Sequence, residues 1–142
     1  MFLLKQSTAI TLRVGPFLNE DDGKTAETGL TISQADIRLS KAGGDFAQTH
    51  DSSGATHDEN GHYSLQLDDT DTNTVGMLKV AIHKSGALPV WENFMVLPAN
   101  VYDSLVGGTD NLQVDTTQIE GSDATTQIGS SAKSRPAGST YR

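Results

Sequence analysis

The feature that most constrains this chain is the way its apolar residues are spaced, at every second position in short runs separated by turn-forming residues. An alternating run buries one face of a strand and wets the other, whereas helices repeat every three to four residues. The first such run covers residues 8–14, where Ile10, Leu12 and Val14 alternate with Thr11 and Arg13. Gly15-Pro16 should end or bend it, and residues 19–23 form a run of turn formers before Leu30 and Ile32. Ala35, Ile37 and Leu39 resume the pattern, and Lys41-Ala42-Gly43-Gly44 offers the positive φ angles of a hairpin leading into Asp45-Phe46-Ala47. Residues 50–61 are nearly all polar and read as a loop ending in a Glu59-Asn60-Gly61 turn, after which Tyr63, Leu65 and Leu67 alternate again. Residues 68–74 are too polar for a core strand. Their Asp and Thr side chains suit capping, so a turn crossing between sheets is expected there. Strands are then expected over 75–82, with Leu78, Val80 and Ile82 on one face, and over 90–97, with both faces covered. In the second of these Phe94 and Val96 share one face, while Trp91, Met95 and Leu97 lie largely on the other.

About six or seven short strands at this spacing imply a mainly β fold: a single antiparallel β-sandwich of immunoglobulin or fibronectin type III kind. The chain has 142 residues, enough for one core, and contains 14 Gly but no Cys. Neither disulfides nor thiolate metal sites can therefore hold it together. No apolar run approaches the roughly 18 residues of a membrane span, and Met1-Phe2-Leu3-Leu4 is followed by Lys5 and Gln6, so a soluble, unprocessed protein without membrane contact is expected. The formal charge of −8 repels phosphate backbones and argues against nucleic acid as a partner.

Beyond Pro98 the composition changes. Tyr102, Leu105 and Val106 look able to pack, but Gly, Ser, Thr, Asp and Gln dominate from Gly107 onward. The organisation expected is a sandwich over residues 1–100 and a linker with an extended arm over 101–142. Within the arm Thr116-Thr117-Gln118-Ile119 recurs as Thr125-Thr126-Gln127-Ile128. Over residues 108–142 Leu112, Val114, Ile119 and Ile128 are the only large aliphatic residues, too few for a core, so that stretch is expected to order only against another chain, by strand addition to a sheet edge. Every Asp and Glu precedes residue 124, and the last ten residues carry Lys133, Arg135 and Arg142. Those six residues, Leu112, Val114, Ile119, Ile128, Lys133 and Arg135, are the expected assembly contacts, the two cations meeting the acidic body of a neighbouring copy.

No constellation for catalysis stands out. There is no Gly-x-Ser-x-Gly elbow, and Ala132-Lys133-Ser134 lacks the first Gly of a phosphate-binding loop, Gln127 standing in its place. The acids Glu20, Asp21, Asp22 and Glu27 do not follow the alternate-residue spacing of a calcium loop, and read as a solvated turn. His50, His57 and His62 lack the spacing of a zinc site, and His83 is expected to face solvent. No enzyme activity, metal or cofactor is expected. Trp91 is expected in the core; exposed, it would suit stacking on a sugar.

The central residues carry a resemblance: Thr28-Gly29-Leu30-Thr31-Ile32, then Ala35-Asp36-Ile37-Arg38-Leu39-Ser40-Lys41-Ala42-Gly43-Gly44-Asp45-Phe46-Ala47, then Glu59-Asn60-Gly61-His62-Tyr63 and Asp68-Asp69-Thr70-Asp71-Thr72. This order resembles small modules of tailed-bacteriophage structural proteins, as does Val101-Tyr102-Asp103-Ser104-Leu105-Val106-Gly107-Gly108-Thr109-Asp110, which is similar to the linker following them. The resemblance spans residues 5–120 and brings no catalytic residues. It implies a virion protein of the tail, fibre or capsid surface, with other virion proteins and copies of itself as partners; the alternative is a carbohydrate-binding module or adhesin, served by Trp91 and the loop 50–62.

Overall fold

The computed structural model describes residues 2–109 in full and, beyond them, only the backbone of two short strands. The chain divides into two compact units, Met1–Asn111 and Leu112–Arg142. In the second, β9 (Gln118–Ile119) pairs antiparallel with β10 (Ser122–Asp123). Ile119 lies in β9, whereas Leu112, Val114, Ile128, Lys133 and Arg135 lie outside the described residues, as does the expected ordering of the arm.

The first unit is mainly β, with eight strands in two sheets. A five-stranded sheet runs in the order β1 (Phe2–Lys5), β8 (Val90–Leu97), β7 (Gly76–Ile82), β3 (Ile37–Lys41) and β4 (Ala47–Gln48). A three-stranded sheet runs β2 (Ile10–Val14), β6 (His62–Leu67) and β5 (Ala55–Glu59). The alternation seen in the sequence decides what lies between them. Leu78, Val80, Ile82, Phe94, Val96, Ile37 and Leu39 point inward from one sheet, and Leu12, Val14, Tyr63, Leu65 and Leu67 from the other, forming one buried core.

Two strands were not expected. Phe2–Lys5 pairs parallel with β8, with Leu4 opposite Val96, so the expected purely antiparallel pattern is broken at this edge. Its alternation is hidden because Phe2, Leu3 and Leu4 are all apolar: Leu4 enters the core while Phe2 and Leu3 stay exposed. The second, β5, occupies part of the polar stretch read as a loop. Only Ala55 of its five residues is buried, so backbone pairing to β6 carries it rather than apolar content. Asn60 (φ 50°) and Gly61 (φ 81°) form the tight turn between β5 and β6, and Ala42 and Gly43 play the same part between β3 and β4.

The segment 68–74 crosses between the sheets, as the sequence suggested. Asp68 Oδ1 accepts from the Asp71 N–H at 3.0 Å and Asp71 Oδ2 accepts from the Asp68 N–H at 3.1 Å, a reciprocal cap of one turn. Thr72, fully buried, accepts from the Thr8 N–H and donates to the Thr8 carbonyl, both at 2.9 Å, tying the crossing to the start of β2. Tyr63 closes the other end of the core. Its ring meets Phe17 edge-on at 5.0 Å, and its hydroxyl donates to the Glu27 carbonyl at 2.8 Å and accepts from the Leu30 N–H at 3.0 Å.

Gly54 is where backbone approach is tightest: at φ 73° a Cβ there would meet the Ile32 carbonyl oxygen at 2.3 Å, beside the Ala55 N–H that bonds to the same oxygen. Gly54→Ala should therefore lower unfolding free energy by roughly 2 kcal/mol or more in urea titrations, from left-handed strain combined with the forced shift of Ile32. A change within about 0.5 kcal/mol would show that this contact yields freely.

Candidate functional site: the outer face of the five-stranded sheet

The three-stranded sheet presents an ordinary wet face, with Thr11, Arg13, Ser64 and Gln66 opposite the buried residues of β2 and β6. The outward positions of the five-stranded sheet differ. Because β1, β8 and β7 pair in register, Leu3, Met95 and Met77 line up in one row across three strands. A second row runs Trp91, Ala81, Arg38 and Gln48 across β8, β7, β3 and β4. Between the rows Asn93 faces Lys79 and Lys79 faces Ser40. Trp91 is 59% exposed, Phe46 47% and Met77 45%, values that place large apolar side chains in water rather than in a core. This corrects the expected burial of Trp91 and of both faces of β8. Trp91 stands three residues from Phe94, so strand parity turns it outward when Phe94 turns inward.

One end of the face forms a groove of about 300 Å³ between Trp91, Phe46, Arg38, Ala81, His83 and Pro89. Arg38 reaches across it to the Phe46 carbonyl at 3.4 Å. Among the described residues neither Arg38 nor Lys79 has an acidic partner, whereas Lys5 at the far side is paired with Asp103 at 3.0 Å. No outward position of β1, β8, β7 or β3 holds Asp or Glu. In a chain of net charge −8, this face is apolar and cationic.

The clusters noticed in the sequence do structural work elsewhere. In the acidic loop, Asn19 Oδ1 accepts from the Asp21 and Asp22 N–H groups, and Asp22 Oδ1 accepts from those of Lys24 and Thr25. The Thr25 hydroxyl, then those same backbone donors, hold the Asp22 carboxyl below its ordinary value. The loop 50–62 disperses its histidines: His57 packs against Tyr63 and accepts from the Gly61 N–H, while His62 turns to the Glu59 carbonyl. His83 is exposed, just past the end of β7. Among the described residues no group of three His, Cys, Asp or Glu is placed to hold a metal.

The residue that sequence reading undervalued is Asp71. Only 2% exposed, its carboxylate accepts from the Thr49 hydroxyl at 3.0 Å and from the N–H groups of His50 at 2.7 Å, Asp51 at 3.1 Å and Asp68 at 3.1 Å. It lines a hollow of about 390 Å³ beside β4, but four donors already occupy its two oxygens, leaving it a structural knot rather than a binding group. The Asp-x-x-Asp spacing signalled a cap; the partners from residues 49–51 are distant in sequence and gave no local sign. Comparison with family models, with curated proteins and with solved structures returns no match.

Beside the knot, His50 Nδ1 lies 2.5 Å from Asp68 Oδ2. The hydrogen bond to Asp68 and its charge raise the His50 pKa above 6.5. Burial alone would raise the Asp68 carboxyl, but the His50 hydrogen bond, the Asp71 N–H and the His50 charge together hold it below 3.8. The contribution of His50 is complete below 6.5 and lost as pH rises through its raised folded value; that of Asp68 is present above 3.8 and lost as pH falls through its lowered one. His50→Gln should therefore reduce stability most between 3.8 and 6.5 and progressively less in alkaline solution, as checked by denaturant titrations across pH. A deficit that is flat with pH would assign His50 a packing role instead.

Proposed function

We propose that this chain is a non-enzymatic structural protein of a bacteriophage virion, an immunoglobulin-like module that works by assembling with copies of itself and with other virion proteins. It serves in the tail, in a fibre or on the capsid surface. The observation that carries the assembly reading is the outer face of the five-stranded sheet, where Trp91, Phe46, Met77 and Met95 surround two cations without acidic partners. Exposed apolar rows of this kind in a chain of only 35% apolar residues mark a protein–protein surface.

Strand order supports the immunoglobulin-like reading. The set β2-β6-β5 takes the places of strands B-E-D, and β4-β3-β7-β8 those of C′-C-F-G, with β1 closing the edge beside the last strand. Neither the inter-sheet disulfide nor the strand-C tryptophan of antibody domains is present, and Ile37 and Leu39 fill the latter's layer. The virion reading rests on the similarity of residues 28–47, 59–72 and 101–110 to phage structural modules.

One observation favours a second reading, attachment to a glycan. Trp91 stands exposed beside Arg38 and His83, and an open indole with polar neighbours is what a sugar ring stacks on.

The test is particle composition. Mass spectrometry of purified virions should find the chain at a fixed stoichiometry, and Met77→Asp should remove it from particles while leaving the melting temperature of the isolated protein within a few degrees, since Met77 points away from the core. Absence of the wild-type chain from particles would refute the virion reading. Glycan-array binding abolished by Trp91→Ala in a folded protein would establish the second.

A further inference from the structure

The apolar, cationic face calls for an occupant that is apolar and acidic, and the chain carries such a segment. Residues 110–123 contain Asp110, Asp115, Glu120 and Asp123 with no Lys or Arg, and interleave Leu112, Val114 and Ile119 among them. Among the body's acids, Asp22, Asp36, Asp68 and Asp71 are engaged in turns, caps and the knot, Asp58 and Asp103 are paired with Arg13 and Lys5, and Glu92 in β8 sits opposite inward-facing Val80 rather than on the outer face. Building on the assembly reading above, we infer that the outer face of the five-stranded sheet is the docking surface for residues 110–123 of a second copy of this chain.

The chemistry is complementary on two counts. Lys79 and Arg38, which lack acidic partners among the described residues, face a stretch that supplies carboxylates and no competing cation. The row of exposed Met77 and half-buried Met95, with exposed Trp91 beyond it, offers adaptable apolar surface to Leu112, Val114 and Ile119. Direct pairing of two such faces about a twofold axis is the alternative use of the patch by the same chain, but it would set Arg38 and Lys79 of one copy toward the same cations of the other. Like charges across an interface disfavour that arrangement. Segment-to-face contact is instead heterologous, each copy giving a segment and receiving one, so it generates a ring or an open string of subunits.

The proposal is tested on the full-length protein. An equal mixture of isotopically light and heavy copies is treated with a carbodiimide, which joins an amine to a carboxylate in direct contact, and the links are mapped by peptide mass spectrometry. Links from Lys79 to Asp115 or Glu120, in mixed light–heavy pairs, are expected. Sedimentation should show Lys79→Glu weakening self-association about tenfold or more. Mixing that variant with Asp115→Lys/Glu120→Lys copies should restore association, as charge reversal on both sides recreates the pair. Near-UV circular dichroism establishes that each variant is folded. A chain that stays monomeric at all concentrations, links found only within one copy, an unchanged Lys79→Glu, or folded reversed copies that do not associate would each overturn the inference. If Lys79→Glu still enters particles that exclude Met77→Asp, docking of residues 110–123 falls and the virion reading stands.

Discussion

A single buried carboxylate, Asp71, ties together segments distant in sequence, with the His50–Asp68 pair beside it joining the same two stretches. It lies in the crossing from β6 to β7, the passage from the three-stranded sheet to the five-stranded one, and its oxygens gather donors from residues 49–51 after β4 as well as from its own turn. Burying a carboxylate costs several kcal/mol unless donors replace the lost water, and here four do. With Thr72 bound to Thr8 on the other side, the crossing is fixed at both ends, and the start of β7 is placed so that Leu78, Val80 and Ile82 fall inward. Parity does the rest. Once those three face the core, Met77, Lys79 and Ala81 face out, and the register of β8 and β1 aligns Met95 and Leu3 beside Met77.

How much of this was legible depends on how local the cause is. Alternation located β2, β3, β6, β7 and β8 and the inward residues of each, because a strand's two faces are written in adjacent residues. The turns at Ala42-Gly43 and Asn60-Gly61 were legible for the same reason: positive φ has a residue signature. Where the cause is distant, the reading failed. β1 has three consecutive apolar residues, and only its partner β8 decides which one is buried. β5 is polar at four of five positions and exists because β6 offers it a backbone ladder. For Trp91 the sequence told which residues share its face but not that this face is left uncovered, since that depends on what the rest of the chain packs against it.

The candidate site was legible in its parts and not as a site. Trp91, Arg38 and Met77 come from three different strands placed side by side by sheet register, and Phe46 joins them from the β3–β4 loop. What the sequence did contain is the asymmetry of charge. Acids fill the loops, crossings and residues 110–123, while the outward positions of the large sheet hold Lys5, Lys79 and Arg38. The physical consequence is a sheet face, among the described residues, that is apolar and carries cations without acidic partners, a surface on which charge would select a partner while contact area supplies binding energy.

The most direct measurement of this account is hydroxyl-radical footprinting of the assembled and isolated protein, because Trp and Met are fast-reacting side chains and Trp91, Met77 and Met95 report on one face. The account predicts that all three oxidise readily in the isolated protein in proportion to their exposure and become protected together on assembly, while His62, on the other sheet, keeps its reactivity. Assembly that leaves Trp91 and Met77 as reactive as in the isolated chain would contradict it.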